Sequence, residues 1–142
     1  MNSTLTISLR IAGVVLLILT ALHWPISRRL KWNEESQLLS PVNAAIFRVH
    51  TFFICLILVL MGIPCITAPQ IFLEINRAGG WLAWTFAVFW TARLWVQCFV
   101  FPRALWAGKR FETRVHFTFT AIWIFLATLF IICGARQAAW LH

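Results

Sequence analysis

His23, His50 and His116 are the side chains of this sequence best suited to hold a ligand. An imidazole binds a metal or haem iron through a neutral nitrogen, or hydrogen-bonds an oxygen-bearing molecule. His23 closes the first long apolar run, His50 opens the second and His116 opens the fourth. Consecutive membrane spans alternate in direction, so these three positions share one side of a bilayer. A third run heads toward that same side and carries Arg93 and Gln97 inside it. Ionisable groups within membrane spans are costly, so such a grouping is read as a functional site.

Three chemistries suit these residues. Two histidines from different helices bind the iron of a haem b axially, with His50 and His116 as the chosen pair and arginine neutralising a propionate. Alternatively, His23, His50 and His116 bind a transition metal such as zinc or copper and leave a position open. Glu112, one helical turn before His116, serves there as fourth ligand or as a partner to the ligating ring. In the third reading the histidines, Arg93 and Gln97 hydrogen-bond a quinone or a lipid head group without metal.

Charge compensation bears on the choice. The acids of the chain are Glu34, Glu35, Glu74 and Glu112, and all lie outside the apolar runs. Arg93 therefore lacks an acidic partner at its own depth, and a buried cation must be paired, hydrated or given another anion. This favours an anionic or polarisable ligand and argues against a carboxylate-rich di-iron centre.

The elements that position these groups follow from the apolar runs. A helical span needs about 20 mostly apolar residues. Four runs meet that need, at approximately 5–26, 47–68, 81–101 and 115–135. Pro25 marks the end of the first. Ser40-Pro41 reads as an N-cap followed by a first helical position, which starts the second helix before its apolar run. Gly62 and Pro64 loosen its last turns. Gly79-Gly80 introduces the third and Pro102 stops it. In lipid only helices or closed barrels satisfy the backbone, and runs this long without period-two alternation are helices. The expected fold is an all-α integral membrane protein, a four-transmembrane-helix up-down bundle in a single membrane domain covering 1–142. Arg93 lies eight residues before Phe101, about 12 Å along a helix axis, whereas His23 and His116 are shallower. The site is thus a funnel and not a flat ring.

Composition supports this. The 142-residue chain is 61% hydrophobic and 11% charged, against roughly 45–50% and about 25% in soluble domains. Its formal charge of +8 does not imply nucleic acid, because the basic residues flank the spans. The first and third loops hold Arg28, Arg29, Lys31, Arg48, Arg103, Lys109, Arg110 and Arg114, against Arg10, Arg77 and Arg136 on the other side. The positive-inside rule then puts both termini outside the cytoplasm of a plasma or inner membrane, with the histidines near the cytoplasmic face and anionic lipid beside them. The first run lacks the small residues of a cleavage site and reads as a retained signal anchor. Cys55, Cys65, Cys98 and Cys133 have no C-x-x-C spacing and read as small apolar packers; a bridge between Cys65 and Cys133 is left open. Trp24, Trp32, Trp81, Trp84, Trp106 and Trp140 fall near interfaces, whereas Trp90, Trp95 and Trp123 lie deeper. The basic and aromatic stretch 102–111 reads as an interfacial anchor that also suits phospholipid head groups.

These features lead to a ligand-binding membrane protein with a cytoplasmic-side His/Arg/Gln pocket, a redox subunit using haem, metal or quinone. An accessory or assembly subunit of a membrane complex is the alternative, with the polar residues contacting lipid or partner helices. A small oligomeric transporter or channel is the third reading. The partner expected besides lipid is another membrane protein or further copies of the chain.

Overall fold

The computed structural model describes residues 2–138, so Trp140 and His142 lie outside the described residues. All regular elements among these are helical. The α-helices are α1 (Asn2–Arg29), α2 (Trp32–Gln37), α3 (Pro41–Thr67), α4 (Arg77–Phe99) and α5 (Arg110–Ala138), with single 3₁₀ turns at Pro69–Phe72 and Arg103–Leu105.

Three helices, α1, α3 and α5, are long and apolar enough to cross a membrane, which points to a membrane location. Their 28, 27 and 29 residues exceed the ~20 needed to span the hydrocarbon layer. Ile18 on α1, Phe52 and Leu60 on α3 and Ile124 on α5 are exposed, as expected where the solvent is lipid. The 23 residues of α4 are also long enough, but no stretch of it reaches the hydropathy of the other three. Glycines, four tryptophans, Arg93 and Gln97 replace the aliphatic residues that fill the other three.

Local chemistry explains most boundaries. The Ser40 side chain accepts from the Asn43 N–H at 3.4 Å and Pro41 is the first helical residue, so α3 starts where the cap predicts. Asn76 caps α4 through a 2.6 Å bond from the Gly79 N–H. Pro102 follows the end of α4 and leads into the next 3₁₀ turn. Pro25 does not end α1. The helix continues to Arg29: Pro25 forgoes its own i→i−4 bond, and helical bonding resumes after it, as in the Leu30 N–H to Ile26 carbonyl bond. A further difference is α2, a six-residue helix within the first connection, entered through Lys31 at φ 52°.

The chain forms two compact units, Ile7–Pro69 and a second that joins Gln70 onward to the start of α1 up to Thr6. In the first, α1 and α3 are antiparallel and touch at glycines. The Gly13 backbone lies against Gly62, Cys65 and Ile66 so closely that a Cβ on Gly13 would meet Ile66 Cγ1 at 2.5 Å and the Gly62 carbonyl at 2.6 Å. Trp32 of α2 packs edge-on against His23 of α1 and Phe47 of α3, with centroids 6.5 and 5.4 Å away.

In the second unit α4 and α5 form an antiparallel hairpin. Gly80 lies beside Gln137, Trp84 against Gly134, and Phe86 against Phe130 at 5.0 Å. Phe72, from the connection before α4, completes the aromatic cluster at 5.5 Å from both Phe86 and Phe130. Gln137 is buried and donates to the Phe72 carbonyl at 3.0 Å, while its oxygen accepts from the Asn76 N–H at 3.5 Å. This amide ties the connection to α5. Gln137→Leu is expected to cost ~1–3 kcal/mol, because it leaves a buried carbonyl without its donor. The check is the thermal unfolding midpoint in detergent, and an unchanged midpoint refutes that role.

Candidate functional site

The hairpin brings Arg93, Gln97 and His116 together. Arg93 and Gln97 are one helical turn apart on α4, and His116 faces them from the first turns of α5. Gln97 Oε1 accepts from Arg93 Nη1 at 3.3 Å and from the Trp123 indole N–H at 3.3 Å. Gln97 Nε2 lies 2.9 Å from His116 Nδ1. Gln97 is buried, whereas Arg93 and His116 are half-buried.

Aromatic rings enclose this triad. Trp106 stacks on His116 with centroids 4.2 Å apart and planes at 7°. Its backbone carbonyl accepts from Thr113 Oγ1 at 2.6 Å, which fastens the connecting turn to α5. Trp90 and Phe119 stack on Trp123 at 5.2 and 5.6 Å. The Arg93 guanidinium lies 4.9 Å from the Trp123 ring centroid and 5.9 Å from that of Phe101. Such contacts stabilise a cation by about 0.5–2 kcal/mol. Among the described residues Arg93 has no carboxylate in ion-pair contact, as its depth in the sequence implies.

Hydrogen-bond polarity settles the amide and the ring. Arginine and the indole nitrogen only donate, so the atom of Gln97 that faces them must be the oxygen. The amide nitrogen then donates to His116 Nδ1, which must be unprotonated. The ring proton of His116 is therefore on Nε2. Donors predominate among the polar groups left over around the triad: the remaining Arg93 N–H groups, the second Gln97 N–H, His116 Nε2–H, and the indole N–H groups of Trp90 and Trp106, while the Thr113 and Thr120 hydroxyls donate to the Trp106 and His116 carbonyls. Those two indole nitrogens are buried without an acceptor among the described residues.

The other two histidines have the opposite polarity. His23 Nδ1 is 2.8 Å from the Leu19 carbonyl and His50 Nδ1 is 3.0 Å from the Ile46 carbonyl, each one turn earlier on its own helix. A carbonyl only accepts, so both rings carry the proton on Nδ1 and present an unprotonated Nε2. His23 is half-buried and His50 exposed. Both belong to the Ile7–Pro69 unit, whereas His116, Arg93 and Gln97 belong to the α4–α5 unit. Glu112 is exposed on α5. Among the described residues no group of three or more His, Cys, Asp or Glu side chains is placed to hold a metal ion.

The sequence placed Trp123 deep in its span, but its bond to Gln97 depends on the register of α5 against α4. Trp106 was assigned to the interface, and only the path of the 100–109 connection lays it over His116. Gln137 was missed because the fourth apolar run ends at Ala135, although its spacing from Gly134 and Phe130 keeps it on the packed face. No protein-family model, curated protein or solved structure matches this chain.

Proposed function

We propose that the protein is a small integral membrane protein that holds an oxygen-acceptor ligand, a quinone, at Arg93 and His116 near the cytoplasmic face. The observation that carries this reading is the surplus of unpartnered donors at the site, including the buried indole N–H groups of Trp90 and Trp106. A quinone offers carbonyl oxygens and no N–H or O–H group, so it matches Arg93 and His116 Nε2–H, and its ring suits a site walled by indoles. The fourth long helix, α4, then crosses the bilayer as α1, α3 and α5 do, so that successive spans alternate up and down. The basic residues of the first and third connections support a cytoplasmic placement for those connections and an outer placement for both termini.

The haem and metal readings fit this polarity less well. Ligation through His116 Nε2 moves the ring proton to Nδ1, where it meets the Gln97 N–H₂ donor head-on. His50, the other member of the haem pair, presents the nitrogen that ligation needs. The accessory-subunit reading is favoured by one specific observation. The amide oxygen of Gln97 and one of its N–H groups are already engaged within the hairpin, as expected for residues that only join helices.

The test uses the full chain in mild detergent. Addition of a short-chain benzoquinone is expected to quench indole fluorescence saturably. Arg93→Gln and His116→Leu are each expected to weaken that binding about tenfold, the equivalent of one ~1.4 kcal/mol hydrogen bond. The absorption spectrum before and after dithionite is expected to lack a Soret band. A Soret band with sharpened α and β bands, or quenching that never saturates, refutes the quinone reading. Loss of a co-purifying membrane protein on changing Gln97, with no quinone binding, establishes the accessory role instead.

A further inference from the structure

At the end of the hairpin remote from His116, α4 and α5 part to form a groove of about 410 Å³. That volume falls in the ~300–1,000 Å³ range of small-molecule sites. Its lining includes Arg77, Gly80, Trp81 and Trp84 from α4 and Gly134 and Gln137 from α5. Two glycines shape the groove where the helices face each other: Gly80 leaves it open, and Gly134 admits the Trp84 ring as its wall. Gly134 sits directly against the Trp84 ring, where a Cβ would come within 2.9 Å. Gly80 is roomier, since a Cβ there would meet only Gln137 Oε1 at 3.4 Å.

The chemistry of the lining is asymmetric along the helix axis. Arg77 is the first residue of α4 and is exposed. Trp84 lies seven residues further on, about 10 Å deeper at 1.5 Å per residue. Gln137 is already tied to Phe72 and Asn76. Arg77 is therefore the charged recognition group among the described lining residues, and beyond it lie indole rings, glycine backbone and the engaged Gln137 amide. A cation at the mouth and an apolar trough about 10 Å long describe a ligand with an anionic head and a hydrocarbon tail.

We propose that this groove is a binding site for an anionic glycerophospholipid, with its phosphate on Arg77 and one acyl chain along Trp81, Trp84 and the Gly80–Gly134 trough. The lipid comes from the leaflet that surrounds the start of α4 and the end of α5. The site shares no residue with the Arg93–Gln97–His116 triad and stands whether or not that triad binds a quinone.

The test is native mass spectrometry of the full chain released from detergent after addition of dioleoylphosphatidylglycerol, with dioleoylphosphatidylcholine and oleate as parallel probes. The wild-type protein is expected to retain one phosphatidylglycerol at low lipid ratio and to prefer it over phosphatidylcholine. Gly80→Leu fills the trough and is expected to lower retention at least about tenfold, while Gly80→Ala retains the lipid. Arg77→Gln, at an exposed position that does not affect packing, is expected to abolish the preference for the anionic head group. Equal retention by Gly80→Leu, no head-group preference in the wild type, an unchanged preference in Arg77→Gln, or retention of oleate but not phospholipid each overturns the proposal.

Discussion

Gln97→Leu is expected to lower the stability of the α4–α5 hairpin more than any other single substitution on its polar face. Leucine has nearly the same volume, so little packing is lost. What is lost is the acceptor for Arg93 Nη1 and Trp123 Nε1 and the donor to His116 Nδ1. A buried group left unsatisfied costs ~1–3 kcal/mol, whereas an interhelical bond in membranes averages nearer ~0.6. Arg93 and His116 are half-buried and recover part of the loss by hydration. The expected net change is ~2–4 kcal/mol, read as a lower thermal midpoint in detergent. Gln97→Glu provides the control. Its carboxylate accepts from Arg93 and Trp123 but has no donor for His116, so Nδ1 must take up a proton to restore the contact. Gln97→Glu is therefore expected to be more stable than Gln97→Leu and less stable than the wild type. Equal midpoints for wild type and Gln97→Leu remove the network as a source of stability.

Gly13→Ala is expected to separate α1 from α3. The new methyl group meets Ile66 Cγ1 at 2.5 Å and the Gly62 carbonyl at 2.6 Å. The isoleucine can turn away, but the carbonyl is part of a helix and cannot. Overpacking of this kind costs typically ~1–3 kcal/mol. Gly80→Ala isolates the packing term, because both substitutions gain the same ~0.8–1.0 kcal/mol of helix propensity. The Gly80 position has ordinary contact distance to Gln137, so that variant is expected to be neutral or slightly stabilised. Unfolding midpoints measured side by side decide the matter, and a Gly13→Ala protein as stable as Gly80→Ala means the helices do not touch there.

Much of this was legible in the sequence, for identifiable reasons. Long apolar runs can only be helices in lipid, so the four long helices follow from run length, and Ser40-Pro41 locates the start of α3 because a capping hydroxyl and a proline act locally. Pro25 misled because a proline forgoes one backbone bond without obliging the helix to stop, and α1 runs on to Arg29. The polar segment Trp32–Gln37 shows no apolar stripe, and its helix is held by Trp32 packing on His23 and Phe47. In the site, Arg93, Gln97 and His116 were named from spacing and depth, and the hairpin joins them. Which nitrogen of each histidine bears the proton was not legible, because that depends on whether the neighbour is a carbonyl or an amide N–H₂.

The length of α5 has a consequence for where a ligand enters. Its 29 residues reach about 43 Å at 1.5 Å per residue, against ~30 Å of hydrocarbon. Shared between its ends, the excess is ~6–7 Å of helix standing in each head-group layer of an untilted molecule. His116 lies six residues into α5, about 9 Å from its start, which sets its ring just beneath the plane where acyl chains begin. A molecule bound there arrives sideways out of the leaflet, with its polar end guided by the basic head of α5 and its tail never leaving oil.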